Sequence, residues 1–406
     1  MVKSNPERMQ KWLRTIASFT EEPGKITRPT YSQAWVDSIE YLREIMDELD
    51  MQVRMDTFGN LIGRYDPMAS REKPIAIGSH IDSVYNAGAY DGVAGIVVGL
   101  ELIAMMHENG LCPKYPVEVL ATADEEGLIC QKGYFGARFM TGDMSIDEML
   151  SYKNAAGKNI ETLRKESGIF EGVPFGTDLG WAKDYYSKYL EVHVEQGDVL
   201  ETAGYDIGIV QGIVGIGRLF FNFAGAADHA GPTVMNGRRD ALVAAADLIQ
   251  KTWELGQANS GEAVTTVGRL SNYPNLHNVI SGMASLVVDF RATDDALALA
   301  LAKQIKEYAV SLREKYGVEV QLVNEIYTPV KFFSEELLYS LRAIELPNSM
   351  ELFSWAGHDA KAFAQIIDSA MIFMPSIGGK SHSPEEYTKI ESFSLACDNL
   401  INLLII

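Results

Sequence analysis

Apolar and polar positions form clear blocks along the first half of the chain. An apolar run covers residues 74–78, a Gly-rich polar loop follows to residue 92, and a second apolar run of helical length covers residues 93–106. This order predicts a strand, a loop and a helix, the unit of an open α/β sheet. The same patterns predict strands at 116–122, 189–194, 207–213 and 371–375, and helices at 5–20, 31–49, 334–346, 359–367 and 389–404.

The pattern changes after Gly212. Strands and helices then follow in the order β-α-β-β-α-β, which is typical of a ferredoxin-like fold. The predicted elements are 218–224, 238–255, 263–270, 284–291, 294–315 and 318–323. A unit of this size can form a domain of its own. We therefore predict an α/β domain made of residues 1–212 and 326–406, with residues 213–325 inserted into it.

The glycines at Gly212, Gly215 and Gly217 resemble a dinucleotide-binding motif. That motif requires a helix after the glycines, whereas the pattern here predicts a strand. We interpret these glycines as hinge residues at the crossing between the two domains.

Composition narrows the classes of partner. The chain has 406 residues and a net charge of −20, which argues against nucleic acid or an anionic membrane as a partner. Its three cysteines are widely spaced, as in a cytoplasmic protein with reduced thiols. The first residues lack the apolar core of a signal peptide, and no apolar run reaches membrane-spanning length.

Three histidines lie alike, at or just after the end of a predicted strand: His80, His193 and His382. Acidic side chains accompany them: Asp82 and Asp91 follow His80, Glu195 follows His193, and Glu125 and Glu126 follow another strand. Imidazole and carboxylate groups at one edge of a sheet indicate a metal site. If Asp91 bridges two ions, the set describes a two-metal hydrolytic site. The alternative is a set of polar loops whose side chains satisfy one another.

Other polar residues allow two interpretations. His229, before a turn in the inserted domain, and His358, before a helix, could be functional or structural. Arg238, Arg239 and Arg291 are candidates to hold a substrate carboxylate, because a guanidinium binds it through two hydrogen bonds. Each of these arginines could equally be a solvated surface residue.

A series of motifs follows in order over nearly the whole chain. The motifs are Gly78-Ser-His-Ile-Asp82, Tyr90-Asp-Gly92, Asp124-Glu-Glu-Gly127, His193-Val-Glu-Gln-Gly197, Asp228-His-Ala-Gly231, Arg238-Arg-Asp-Ala241, Asn278-Val-Ile280, Gly357-His-Asp-Ala360 and Gly378-Gly-Lys-Ser-His-Ser-Pro384. Together they resemble the N-carbamoyl-L-amino acid hydrolase and allantoate amidohydrolase branch of the M20 dinuclear metallopeptidases, the superfamily that includes aminoacylases. The His-Val-Glu-Gln-Gly motif is specific to this branch.

The resemblance implies a metallopeptidase-type catalytic domain with a mixed sheet and helices on both faces. The inserted ferredoxin-like α+β domain would act in dimerisation and as a lid, giving a homodimer. His80, Asp91 and His193 would bind one divalent ion, and Asp91, Glu126 and His382 the other. Zn²⁺ is the first choice of metal, with Mn²⁺, Co²⁺ or Ni²⁺ as alternatives.

The resemblance also implies roles in catalysis and substrate binding. Glu125 would be the general base, Asp82 would support His80, and His229 would polarise the scissile carbonyl, in its own subunit or across the dimer. The substrate-binding residues would be Gln196, His229, Asn278, Arg291, Gly357 and His358.

The expected reaction is hydrolysis of the carbamoyl or ureido C–N bond of a small N-carbamoyl acid. Alternatives are a dipeptidase or N-acyl amino acid deacylase, or a non-catalytic binding protein on this fold. The chain departs from the family at Ala89, at residues 128–130 and at Val234. The departure at 128–130 lies near the expected pocket and leaves the substrate open.

Overall fold

The computed structural model describes residues 2–129, 132–154, 156–344 and 346–405. The chain divides into two compact units. The first contains Met1–Gly212 and Phe332–Ile406, and the second contains Ile213–Lys331.

The strands in chain order are β1 (Gln52–Met55), β2 (Leu61–Tyr65), β3 (Ile75–His80), β4 (Val117–Thr122), β5 (Lys188–Val194), β6 (Ile207–Ile213), β7 (Gly215–Ala224), β8 (Ala263–Tyr273), β9 (Met283–Ala292), β10 (Glu319–Thr328), β11 (Lys331–Phe332), β12 (Ser349–Ser354) and β13 (Asp368–Met374). The α-helices are α1 (Pro6–Ser18), α2 (Gln33–Glu48), α3 (Val93–Glu108), α4 (Phe135–Thr141), α5 (Ile146–Ser151), α6 (Ile160–Glu166), α7 (Val199–Ala203), α8 (Ala241–Ala258), α9 (Asp295–Tyr316), α10 (Glu335–Ala343), α11 (Ala360–Phe363) and α12 (Ile390–Ile405).

The described part of the first unit contains a nine-stranded mixed sheet. Its order is β1-β2-β4-β3-β5-β13-β6-β11, and β12 also pairs with β6. The four central strands, β4, β3, β5 and β13, run parallel to one another, whereas β2 and β6 flank them antiparallel. The predicted combination of a mixed sheet with helices is confirmed.

Helix α3 packs against the centre of this sheet. All of its residues from Val93 to Met106 are buried, which explains why its apolar pattern covers every side of the helix. Its one buried acid, Glu101, receives two hydrogen bonds of 2.8 Å from the guanidinium of Arg8 in α1. This pairing offsets the cost of burying the carboxylate and fixes α1 on α3.

The second unit has a four-stranded antiparallel sheet of order β10-β7-β9-β8, with α8 following β7 and α9 following β9. The inner faces of the helices and sheet share one apolar core, which includes Phe221, Phe223, Leu248, Phe290 and Ile305. This order of elements is the ferredoxin-like arrangement. A strand follows the glycines near Gly212, as predicted, and not a helix.

Several boundaries differ from the sequence prediction. Helix α8 begins at Ala241 and not at 238, because the Asp240 side chain caps it by accepting the N–H groups of Leu242 and Val243. Strand β10 pairs with β7 as far as Thr328, so the second unit ends at Lys331. The helix predicted at 359–367 is the single turn α11. Strand β12 and the short helices α4 and α7 were not predicted.

Within the described residues, no helix combines the length and the apolar character needed to cross a lipid bilayer.

Candidate active site

The predicted ligands come from the carboxyl ends of neighbouring strands. His80 is the last residue of β3, His193 is the last but one of β5, Glu126 follows β4, and His382 follows β13. Because these four strands are adjacent and parallel, their carboxyl ends meet at one edge of the sheet. The fold thus brings together side chains that are up to 302 residues apart, from position 80 to position 382.

Asp91 lies at the centre of the cluster. Its Oδ1 is 3.3 Å from Nε2 of His80 and 3.1 Å from Nε2 of His193. Its Oδ2 is 3.3 Å from Nε2 of His382, and the same nitrogen is 3.3 Å from Oε1 of Glu126. Two groups that could each hold a metal ion therefore share this one carboxylate.

Hydrogen bonds to the main chain fix the tautomers of two rings. Nδ1 of His80 is 3.0 Å from the carbonyl of Asp82, and Nδ1 of His193 is 2.8 Å from that of Val194. A carbonyl oxygen only accepts, so each ring donates from Nδ1, and a neutral ring then has a lone pair on Nε2. Both Nε2 atoms lie within 3.3 Å of Oδ1 of Asp91, which is buried and has no hydrogen-bond partner among the described residues; Nε2 of His193 also accepts the N–H of Gly92 at 3.2 Å. This donor set fits a cation between them.

The electrostatics of the cluster also favour positive charge. Burial alone would raise the pKa of Asp91, but its contacts with the histidines hold that pKa well below its usual value. Burial alone would lower the pKa of His80, but its contact with Asp91 and the nearby acids raise it well above the usual value. Asp91 and then Glu126 raise the pKa of His382 to about 10. Protons or metal ions could supply this positive charge.

Asp82 contacts the strand end that carries Glu125 and Glu126. Its Oδ1 accepts the N–H of Glu125 at 3.1 Å, and its Oδ2 accepts the N–H of Glu126 at 3.2 Å. Its carboxylate is 3.8 Å from Nδ1 of His80, beyond hydrogen-bond distance, so support for that ring comes from the main-chain carbonyl of Asp82. Burial, with Glu126 adding to it, raises the pKa of Glu125 well above its usual value although His80 opposes the shift.

The acid that follows His193 in sequence does not support its ring. The carboxylate of Glu195 accepts the N–H groups of Val199 and Leu200 at the start of α7, at 2.8 and 3.0 Å. Gln196, the next residue, donates from Nε2 to Oδ2 of Asp91 at 2.8 Å. The structure therefore places Gln196 on the central carboxylate.

His358 is buried against the cluster. Its ring centroid is 4.5 Å from that of His193, and its Nε2 is 2.9 Å from the hydroxyl of Ser354. Burial, and then the charge of His193, lower the pKa of His358 well below its usual value, so the ring is neutral. At the preceding Gly357, a Cβ atom would lie 1.7 Å from Oη of Tyr134, so only glycine fits there without movement.

Three predicted substrate residues belong to the second unit. The loop of His229 pairs with that of Asn278, since the Ala230 N–H donates to the Asn278 carbonyl at 2.9 Å. Nδ1 of His229 accepts the N–H of Gly231 at 3.0 Å, so a neutral ring has its proton on Nε2. Asn278 precedes Met283, the first residue of β9, whereas Arg291 lies near the other end of that strand. There its Nε donates to Oδ1 of Asp289 at 3.1 Å.

Residues 74–405 match the peptidase family M20/M25/M40. The chain belongs to this family.

Two curated relatives of this M20 chain cover almost all of it. The chain is 31% identical over 407 residues to an N-carbamoyl-L-amino-acid amidohydrolase of Paenarthrobacter aurescens, with 99% of this chain and 98% of the relative covered. It is 29% identical over 400 residues to an allantoate amidohydrolase of Bacillus subtilis, with 97% and 95% covered. Both names agree with the branch identified from the motifs.

A solved structure of similar fold is an amidase of the hydantoinase/carbamoylase family from Burkholderia multivorans. It superposes with a TM-score of 0.91 and 27% identity, and the match covers 100% of this chain and 98% of that one. The chain is thus an M20 hydrolase that is similar to amidohydrolases in sequence and to an amidase in fold.

Sequence reasoning missed two residues that support the M20 site. Glu386 accepts the N–H groups of Tyr90 and Asp91 at 2.8 and 3.0 Å. Arg28 is buried behind Ile81, with its Nε donating to that carbonyl at 2.7 Å. Burial lowers the pKa of Arg28 to about 10, although the charge of Asp82 opposes the shift. The position of Glu386, four residues after His382, is a sequence signal that could have identified it as part of the site. Arg28 has no such signal in the sequence around it.

The departures from the family pattern lie at different places in the fold. Ile129 is buried, and its N–H donates to Oδ1 of Asp124 at 3.2 Å, next to the Glu125 main chain. Cys130 lies outside the described residues. Val234 is exposed in the second unit.

Proposed function

We propose that this M20 chain is a metal-dependent amidohydrolase. Its reaction is cleavage of the carbamoyl or ureido C–N bond of a small N-carbamoyl acid, such as an N-carbamoyl-L-amino acid or allantoate. The observation that carries the proposal is the position of Asp91, shared between two groups of potential metal ligands within an amidohydrolase fold. The names of the two curated relatives support the class of substrate.

The proposed cofactor is a pair of divalent ions per subunit. His80, Asp91 and His193 would hold one, and Asp91, Glu126 and His382 would hold the other. Mixed imidazole and carboxylate donors suit Zn²⁺ first, and also Mn²⁺, Co²⁺ or Ni²⁺. Such ions, when bound, polarise a carbonyl and lower the pKa of water.

Glu125 is the proposed general base and acid. It is buried beside the proposed ligands, with its Oε2 3.9 Å from Nε2 of His80. Its raised pKa suits a carboxylate that takes a proton from water and returns it to the leaving nitrogen. Asp82 accepts the main-chain N–H of Glu125 and so fixes the backbone position from which the Glu125 side chain extends.

The proposed substrate residues supply complementary groups. His229 has a proton on Nε2 in its neutral form, as a donor to the scissile carbonyl requires. Arg291 is the proposed carboxylate anchor, with Asn278 and Gln196 as amide contacts. Gly357 and the neutral ring of His358 complete the proposed set.

The second unit supports a homodimer in which these groups come from two chains. His229 and Asn278 lie beyond the Met283 end of β9, whereas Arg291 is eight residues further along that strand. At about 3.4 Å per residue, the two ends are about 27 Å apart. A small N-carbamoyl acid is far shorter than this distance. One substrate molecule can therefore contact both only if His229 and Asn278 of the partner subunit act beside Arg291.

A cytoplasmic location is part of the proposal. Cys112 and Cys397 are both free thiols in the described residues, which agrees with a reducing compartment.

Release of ammonia from a panel of substrates tests the proposal. The panel contains N-carbamoyl-L-amino acids, allantoate, a dipeptide and an N-acetyl amino acid, each assayed with Zn²⁺, Mn²⁺, Co²⁺ or Ni²⁺ and also with a chelator, with free amino acid measured for the last two. We expect metal-dependent turnover of at least one carbamoyl or ureido acid at a kcat/KM well above those for the dipeptide and the N-acetyl compound. Preferential cleavage of either of these two compounds would replace the proposal with a peptidase or deacylase.

A further inference from the structure

Glu386 contacts the two loops that carry Asp91 and His382, two members of the ligand cluster. Its Oε1 accepts the N–H groups of Tyr90 and Asp91 at 2.8 and 3.0 Å. Its Oε2 is 3.3 Å from the hydroxyl of Ser381, the residue before His382. Glu386 itself is buried. One carboxylate thus links the loop of Asp91 to the loop of His382.

Ser381 completes the link at the level of side chains. Its hydroxyl lies 2.8 Å from Oδ2 of Asp91 as well as 3.3 Å from Glu386. Loop 88–91 also packs directly on Glu386, because a Cβ atom built at Gly88 would lie 2.3 Å from the Glu386 Cβ. Glu386 is therefore linked to Asp91 in two ways, directly to its main-chain N–H and through the Ser381 hydroxyl to its carboxylate.

His382 depends on such contacts more than the other two proposed histidine ligands do. Its side chain is 48% exposed, whereas the side chains of His80 and His193 are 2% and 0% exposed. Its backbone lies in the left-handed region, with φ of 52°, which a non-glycine residue adopts only when its surroundings hold it there. His80 and His193, by contrast, are held by the strands β3 and β5.

We propose that Glu386 is a positioning residue of the metal centre. It holds Asp91 and His382 at the spacing that allows them to bind one ion together with Glu126. The inference rests on the proposed function only in assuming that the centre binds two ions. Partners of metal ligands commonly change metal affinity by about 10–100-fold when they are removed.

Titration of chelator-treated protein with Zn²⁺ alone, followed by calorimetry and by competition with a chromophoric chelator, tests the inference. In Glu386→Ala we expect one of the two Zn²⁺ affinities to fall by about 10–100-fold and the other to change little. Glu386→Gln keeps an oxygen for the two N–H groups and should bind both ions nearly normally. The matched control is Glu385→Ala, since Glu385 is the exposed neighbouring acid and pairs with Lys380 at 3.5 Å.

A second variant covers the case in which Glu386→Ala does not fold, as judged by circular dichroism in chelator. Ser381→Ala removes only the hydroxyl link, and it should weaken the same Zn²⁺ site to a smaller degree. Two normal affinities in Glu386→Ala, or in Ser381→Ala when the first variant is unfolded, would overturn the inference and leave the proposed function intact. Fewer than two ions in the wild type would overturn both. Because no substrate is present, the choice of substrate does not affect the result.

Discussion

The separation of His229 from Arg291 predicts that active sites assemble from two chains. Arg291 lies about 27 Å along β9 from Met283, and the paired loops of His229 and Asn278 lie beyond the Met283 end. Consider a heterodimer of one His229→Ala chain and one Glu125→Gln chain. The site of the first chain keeps its own Glu125 and receives the intact His229 of the partner subunit. The other site lacks both groups. The heterodimer should therefore have about half of the activity of the wild-type dimer, since one of two symmetric sites is complete.

Co-expression with two different affinity tags and tandem purification yields this heterodimer. Each variant alone, as a homodimer, should be nearly inactive. A heterodimer of wild type with Glu125→Gln is the positive control and should also reach about half. His277→Ala, which changes an exposed histidine of the same region, is the matched control for substitution near His229. A doubly tagged heterodimer no more active than the two single variants would mean that His229 acts within its own chain, and a protein that stays monomeric would refute the dimer.

Three further substitutions test single residues. Glu125→Gln keeps the shape of the side chain but cannot transfer the proton, so kcat should fall by about 10²–10⁴-fold while calorimetry still detects both ions. A near-normal kcat would mean that another group is the general base. Arg291→Lys should raise KM for an acid substrate but not for its amide, because an ammonium cannot form the two-pronged contact. An unchanged ratio of the two KM values would mean that Arg291 serves as a surface pair with Asp289 and not as the carboxylate anchor. Gly357→Ala should lower the free energy of unfolding by about 1–3 kcal/mol through its clash with Tyr134; adding Tyr134→Ala should recover part of that loss in thermal unfolding, and strictly additive effects would contradict the contact.

The position of the cluster of candidate metal ligands could be predicted because its signals are local. His80 and His193 stand at the ends of apolar runs, and apolar runs of that length predict buried strands. Parallel strands place their carboxyl ends at one edge, so strand ends alone indicated which side chains meet. The order of strands in the second unit was predictable for the same reason, since each element has a clear period.

Contacts between segments distant in sequence could not be predicted in this way. Glu386 accepts main-chain N–H groups 295 and 296 residues away, and such acceptors leave no pattern in the sequence. Proximity in sequence was also misleading: Glu195 follows His193 by two residues but caps α7 instead of supporting the ring. The distance between His229 and Arg291 could not be predicted either, because it depends on the register of β9 with its neighbours. Apolar periodicity does not determine that register.

The interruption of the first unit by the second has a consequence for biosynthesis. Strand β13 lies between β5 and β6 in the sheet, yet it is made last of the three, after the whole second unit. At typical translation rates of about 5–20 residues per second, β5 and β6 wait roughly 10–30 s for the strand that joins them. During that interval the second unit can fold on its own, while the nascent first unit has unpaired strand edges open to chaperones. His382 leaves the ribosome later still, so the proposed set of metal ligands is complete only after β13 and the residues that follow it have been made.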